Sequence, residues 1–340
     1  MKVIGIDGGA TKVSGGVVKK INNNTYELID PSIEIQYNDH PNFNPNFSSL
    51  PFHKQSDEPI TREEKKQGSV IIDCTCEVIN SLAGDDPFQV AIAMPGIKTE
   101  DSRGIAVMAN GPRIPDFCNQ IEKFLTLKKP IQNLESDADM CVWGEEYSEN
   151  GTLRNVENGY YLGGGTGTAD GLKLKDNLIP FDEASDWIAK SIELIMTDNQ
   201  TLETYASMSG INRLRDSITD NEIGTALGYL LFERILTVYS GWKNLLEANR
   251  EFQTDHPFLN TLLDRIVIGQ RLSHFLQSEE GRPIYKAVIE QLTIQCSNAQ
   301  AEISAHFLVD GEFDSGRIVL SNLRAAPIIG LGAKAWLSQC

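Results

Sequence analysis

Residues 4–12 read IGIDGGATK. Two isoleucines lead into Asp7, and the chain then gives up its side chains at Gly8 and Gly9 before Thr11 and Lys12. Apolar runs at 2–7 and 13–18 flank the glycines, so the stretch predicts a β-hairpin. Such a turn brings bare backbone N–H groups and the Thr11 hydroxyl to one point. Glycine permits both the unusual dihedrals and the close approach of a bulky anion. An acid directly before it suits a hydrated Mg²⁺, which takes oxygen ligands and keeps several waters, so Asp7 is the candidate metal anchor.

The theme recurs. NGYYLGGGTGTADGLKL at 158–174 is again strand, glycine turn, strand, with Gly165, Thr166, Gly167 and Thr168 in the turn. One such turn alone reads as a plain hairpin, whereas two, one in each half, predict a polyphosphate gripped from both sides. Neither fits GxxxxGK[ST], and neither opens a helix as a dinucleotide fingerprint does.

The bulk numbers bound the rest. The chain has 340 residues and a formal net charge of −17, which argues against unaided nucleic-acid binding. No run approaches the roughly 18 uninterrupted apolar residues of a membrane span. The N-terminus enters a strand at once with no signal-peptide pattern, so a cytoplasmic protein is expected. Six cysteines, at 74, 76, 118, 141, 296 and 340, show no metal spacing and are expected to be buried reduced thiols.

Along the chain, TYELID at 25–30 extends the first sheet, and 31–60 is aperiodic, reading as a mobile flap or an insertion. A helix is predicted over 61–82; within it, VIIDCTCEVI suits helix or strand. QVAIAMPG at 89–96 is a buried strand, and 130–147 a short strand followed by a helix opening near Ser136. Ile223, Leu227, Leu231, Ile235, Val238, Trp242 and Leu245 form one stripe on a long helix, explained first by core packing. RIVIGQRL at 265–272 and RIVLSNL at 317–323 are late strands or strand-to-helix joints. The expected fold is α/β, in two lobes: residues 1–133, closed by a C-terminal helix at 325–340, and residues 134–324.

These motifs carry a family resemblance. GIDGGATK and GGGTGTADG are similar to the two phosphate motifs of the actin-like ATPases, which include hexokinase and the heat-shock ATPases. IAMPG at 92–96, Asp101, Gly104, NGPRIPDF at 110–117, ESDADMCVWGE at 135–145 and TLETYAS at 201–207 narrow the resemblance to the ROK family of bacterial sugar kinases and repressors. It spans nearly the whole chain. It implies a two-lobed, ribonuclease-H-like fold with a nucleotide cleft, ATP and Mg²⁺ as cofactors, a small-molecule sugar substrate and a homodimer. It implies phosphate contacts at Asp7, Gly8, Gly9, Thr11, Lys12 and Gly165 to Thr168, an adenosine contact at Gly269, and sugar contacts at Gly96, Asn110, Ser136 and Glu203. Asp137 matches the family's general base. It sits at a helix N-terminus, where a carboxylate stays ionised, and the alternative for Ser136 or Asp137 is a helix cap.

The resemblance breaks in one place. DEASDWIAKSIELIMTDNQ at 182–200 has no counterpart to the family's Gly-Glu-x-Gly-His stretch or its zinc cysteines, so no zinc site is expected. Glu183, Asp186 or Glu193 is left to replace the missing glutamate. Rival readings are a silent sugar sensor, a DNA-binding repressor, disfavoured by the acidity, and an actin-like activator of acyl-CoA dehydratases, disfavoured by the cysteine spacing.

Overall fold

The structure is a computed structural model describing residues 2–51, 54–84, 86–196 and 199–339, with only the backbone at Asp30 and Pro31. The chain divides into two compact units, residues 1–149 with 325–340, and residues 150–324. The boundary expected at 133/134 therefore lies at 149/150.

The first unit opens with the predicted hairpin. Strands β1 (Lys2–Gly8), β2 (Lys12–Asn22) and β3 (Thr25–Gln36) form an antiparallel meander. Helix α1 (Arg62–Ala83) starts where Thr61 accepts the Glu64 N–H (3.1 Å) and ends at Gly84, whose φ is +57°. VIIDCTCEVI lies wholly within it. Strand β4 (Phe88–Met94) pairs parallel to β1, and the ribbon β5 (Ile97–Lys98) and β6 (Ile105–Val107) follows. After α2 (Phe117–Phe124), β7 (Leu134–Ser136) pairs parallel to β4 and runs into α3 (Asp137–Tyr147). The sheet order is β3-β2-β1-β4-β7.

The second unit repeats this plan. Strands β8 (Gly159–Gly164), β9 (Thr168–Leu174) and β10 (Asn177–Ile179) form the meander, followed by the ribbon strand β11 (Leu194–Ile195). Helices α4 (Leu202–Ala206), α5 (Met208–Leu214) and α6 (Asp220–Ser240) come next, then β12 (Glu247–Ala248), the partner of β11. Strand β13 (Arg265–Gly269) leads into α7 (Gln270–Gln277), α8 (Arg282–Ser297) and α9 (Ala301–Phe307). The hairpin of β14 (Leu308–Val309) and β15 (Glu312–Phe313) precedes β16 (Ile318–Leu320), giving the order β10-β9-β8-β13-β16. Helix α6 has a full capping box between Thr219 and Glu222 and stops at Gly241, φ +74°. The predicted stripe is thus helical to Val238, with Trp242 and Leu245 beyond the helix.

The last helix, α10 (Ala326–Leu337), belongs to the first unit and packs on α3 and β1. A Cβ at Gly144 would lie 2.0 Å from the Ala326 carbonyl oxygen, and one at Gly330 would lie 2.1 Å from that of Met140. Only glycine lets these two backbones touch, which ties residues 134–147 to the first unit. Strand alternation does the rest. Ile6 meets Val78 of α1 across Gly15, while Gly5 faces Ile328 of α10. Each unit has its own core: Ile4, Ile6, Ile71, Val78 and Ile92 in the first, Tyr160, Leu162, Leu227, Leu230 and Ile266 in the second.

The segment read as a mobile flap or an insertion is tied to the body of the first unit by hydrogen bonds. β3 extends to Gln36, and beyond it the buried Gln55 side chain gives its amide N–H to Met108 O (2.9 Å) and Leu50 O (2.8 Å) while accepting the Met108 N–H (2.9 Å). Residues 52 and 53 lie outside the described residues.

Candidate functional site

In the first unit the parallel strands β1, β4 and β7 end together. Asp7 pairs in register with Ala93, and Ala93 with Glu135, so Asp7 and the start of α3 share the carboxyl edge of the sheet. This edge is where open α/β sheets bind ligands. Ser136 caps α3, its Oγ accepting the Asp139 N–H (3.3 Å). Ser136 thus makes the cap expected as an alternative for Ser136 or Asp137.

Asp7 is held up to about 7, first by desolvation and then by the Asp137 carboxylate, with Lys12 pulling down and Glu34 pushing up. Two carboxylates that share one desolvated edge concentrate negative charge and hard oxygen donors there. That donor chemistry fits a hard divalent cation with oxygen ligands.

At the turn, the Gly9 N–H donates to Lys12 O (2.8 Å) and the Tyr37 N–H to Thr11 O (3.0 Å), leaving Thr11 exposed at the tip. Lys12 does not reach toward the turn. Its ammonium pairs with Glu34 across the hairpin, and Glu34 also accepts from Ser14 (3.2 Å) and Gln36 (2.8 Å). Partial desolvation pushes Glu34 up, but this pairing outweighs it and holds the carboxyl below its usual range. Lys12 thus stands as a hairpin ion pair.

Gly96 has φ +89°, and a Cβ there would sit 2.2 Å from Val107 O, so glycine is required by both backbone and space. The neighbouring loop presents Asn110 to solvent between two anchored flanks. On one side Gln55 holds Met108, and the Ser49 hydroxyl donates to Ala109 O (2.6 Å). On the other, Arg113 makes a bidentate pair with Glu64 (2.8 and 2.7 Å) and donates to the carbonyls of Gln55, Glu58 (2.7 Å) and Pro59 (3.3 Å). Gln55, Glu64 and Arg113 have no motif in the sequence that marks them.

In the second unit, Gly165 N–H is spent on Gly167 O (2.8 Å) and Thr168 N–H on Glu203 Oε1 (3.3 Å), which leaves Thr166 and Gly167 as the donors of the turn. Glu203, on α4, lies against this turn: a Cβ at Gly167 would be 2.5 Å from its Oε1. Desolvation, then the nearby Asp170, raises the Glu203 carboxyl, against the Thr168 N–H and Arg213. Behind the turn is a buried polar cluster the sequence reading missed. Asp170 Oδ1 accepts from Tyr160 (2.6 Å) and Arg234 (3.1 Å), and Oδ2 accepts both the N–H (2.9 Å) and O–H (2.8 Å) of Ser191. Arg234 is 0% exposed and also pairs with Glu233 (2.8 Å). The available signal was an ionic Glu-Arg pair inside an otherwise apolar helix.

Gly269 ends β13 in register with Gly163 and is covered by Tyr161, whose Oη would be 2.2 Å from a Cβ there. Of the residues considered as a replacement glutamate, Glu193 is paired with Arg250 (2.7 Å) and accepts the Lys190 N–H (2.7 Å). The turn's acid is Glu203. Five described cysteines are buried free thiols, and no group of three His, Cys, Asp or Glu among the described residues is placed to hold a metal. No described helix is long and apolar enough to cross a membrane.

No family model and no curated protein matches the chain. Solved structures do. An inorganic polyphosphate/ATP-glucomannokinase from Arthrobacter sp. strain KM is 17% identical with TM-score 0.58, covering 99% of both chains. A ROK family glucokinase from Streptomyces griseus, in complex with glucose and AMPPNP, is 14% identical with TM-score 0.59, covering 98% of both. A ROK family transcriptional regulator, a homolog of the E. coli MLC protein, is 11% identical with TM-score 0.56, covering 98% of this chain and 78% of its own. The chain thus has the α/β fold of these ROK sugar-kinase structures, with one sheet-and-turn plan repeated in each of its two units.

Proposed function

We propose that this chain is an ATP- and Mg²⁺-dependent kinase that phosphorylates a hydroxyl of a sugar or sugar-like polyol. The observation that carries the reading is the pair of carboxylates, Asp7 and Asp137, at the carboxyl edge of β1, β4 and β7 beside a glycine turn. Backbone N–H groups at Gly8 and Thr11 in the first turn, and at Thr166 and Gly167 in the second, hold phosphate oxygens, while Gly9 and Gly165 spend theirs on closing the turns. A divalent cation held through Asp7 supplies neutralisation of phosphate charge. Asp137 takes the proton of the acceptor hydroxyl as its oxygen attacks the γ-phosphorus of ATP; the bond to the β–γ bridging oxygen breaks, ADP leaves with that electron pair, and positioning supplies most of the rate. Asn110 and Glu203 bind acceptor hydroxyls, and a carboxylate that accepts two such bonds reads ring stereochemistry.

The fold shared with a glucomannokinase and a glucokinase supports sugar as the acceptor class. The fold shared with a ROK family regulator supports a second reading, a sugar sensor without turnover, which also suits the absent Gly-Glu-x-Gly-His stretch. Assembly as a homodimer and a cytoplasmic location belong to the same proposal. An ADP-release assay over hexoses, N-acetylhexosamines and polyols tests it. Sugar-dependent ADP formation is expected; saturable sugar binding with no ADP establishes the sensor instead.

A further inference from the structure

The buried cluster behind the second turn fixes the direction of a hydrogen-bond chain, and that direction bears on what the turn binds. Ser191 has one hydroxyl proton, which goes to Asp170 Oδ2 (2.8 Å). Asp170 accepts four hydrogen bonds, two on each oxygen, beside the fully buried Arg234 guanidinium, so both its oxygens act as acceptors. In its contact with Thr168 Oγ1 (2.5 Å), Ser191 Oγ is therefore the acceptor and Thr168 the donor. The Thr168 hydroxyl, half-buried at the turn, presents only lone pairs outward. A phosphate oxygen also offers only lone pairs and finds no partner there.

The main-chain donor of the same residue is spent too, since Thr168 N–H goes to Glu203 Oε1 (3.3 Å). Thr168 Oγ1 and the Glu203 carboxylate make an acceptor-only corner, whereas Thr166 and Gly167 keep the donors. The complement of such a corner is an O–H donor or a cation. One hydroxyl oxygen and one carboxylate already bonded to an N–H are few oxygen ligands for a cation, so the O–H donor is favoured.

We propose that the Thr168 side chain binds a hydroxyl of the acceptor alcohol, receiving its hydrogen, and is not a phosphate ligand. Ser191 and Asp170 are positioning residues that set this polarity. The inference rests on the sugar-kinase reading and moves Thr168 out of the phosphate contacts that the family resemblance implies.

The test compares Thr168→Val, Thr168→Ser and Ser191→Ala with the wild type. Probes are D-glucose, D-mannose and N-acetyl-D-mannosamine for turnover, AMPPNP for calorimetric binding, and a Mg²⁺ titration. Thr168→Val should raise sugar KM about tenfold, the loss of one hydrogen bond, with AMPPNP Kd unchanged within about twofold. Thr168→Ser should restore KM, and Ser191→Ala should raise it severalfold, because the freed Thr168 hydroxyl can rotate. A tenfold weaker AMPPNP Kd with unchanged sugar KM would overturn the assignment in favour of a phosphate ligand. A shifted Mg²⁺ requirement alone would overturn it in favour of a cation ligand, and no change in any arm would make Thr168 a packing residue. If the wild type turns over none of the sugars, the kinase reading fails separately. The AMPPNP comparison then decides: an unchanged Kd in Thr168→Val upholds the exclusion of phosphate, and a tenfold loss ends it.

Discussion

Asp137, at the first turn of α3, stands close enough to Asp7, at the end of β1, that after desolvation it is the largest influence raising the Asp7 carboxyl, to about 7. Two acids distant in sequence thus form one electrostatic unit. Such pairs mark sites built to hold a cation or move a proton.

Asp137→Asn tests the proton. Because Ser136, not Asp137, caps α3, asparagine leaves the helix start intact. Turnover should fall by about two to four orders of magnitude, the range for general-base loss, with AMPPNP affinity and melting temperature nearly unchanged. A folded variant with near wild-type turnover removes the base assignment.

Asp7 makes cation binding pH-dependent. Its folded value near 7 lies above the ordinary 3.8, so the native chain holds the proton more tightly than the unfolded chain. Without a cation, this group therefore lends stability that is fully present below about 4 and is lost as pH rises to about 7. A cation needs the ionised form, so Mg²⁺ affinity should rise by up to about tenfold per pH unit on approaching 7 and flatten above it. Thermal-shift titrations with Mg²⁺ between pH 5.5 and 8.5 (an assay range of roughly that width suffices to bracket the transition) should show this rise, and Asp7→Asn should abolish it.

The Arg113–Glu64 pair, with side chains 4% and 7% exposed, should be costly to halve. Arg113→Met leaves a buried carboxylate uncompensated and should destabilise the protein by about 3–5 kcal/mol. The double variant Arg113→Met, Glu64→Met should recover much of that loss in urea unfolding. An additive double variant would mean that the pair is not coupled.

Gln55 should protect the Asn110 loop. The Met108 N–H it accepts should exchange slowly with deuterium, and Gln55→Ala should speed that exchange and raise acceptor KM while sparing AMPPNP affinity. Fast exchange at Met108 in the wild type would restore the flap expected from composition.

What was legible in the sequence is what short-range chemistry encodes. Both glycine hairpins appear where GIDGG and GGGTG place them, because a turn and its two strands need only adjacent residues. The helix start predicted at residue 61 is found there for the same reason, with Thr61 capping Glu64 N–H. The position of Asp137 just after a buried strand was equally local. Aperiodic composition over 31–60, read as a mobile flap or an insertion, gave no sign of the hydrogen bonds that Gln55 and Arg113 supply there.

By itself the sequence determined the repeated strand-turn-strand theme, the acid before the first turn and the acid opening α3. Tertiary structure alone decided that residues 134–149 join the first unit, where Gly144 and Gly330 let α3 and α10 touch. It alone turned Lys12 onto Glu34, and it gathered Asp170, Ser191 and Arg234 behind Thr168. The physical reason is range: caps and turns are settled within a few residues. The partner of a buried charge is chosen by whichever distant donor the packed chain delivers, and the cost of leaving that charge unpaired enforces the choice.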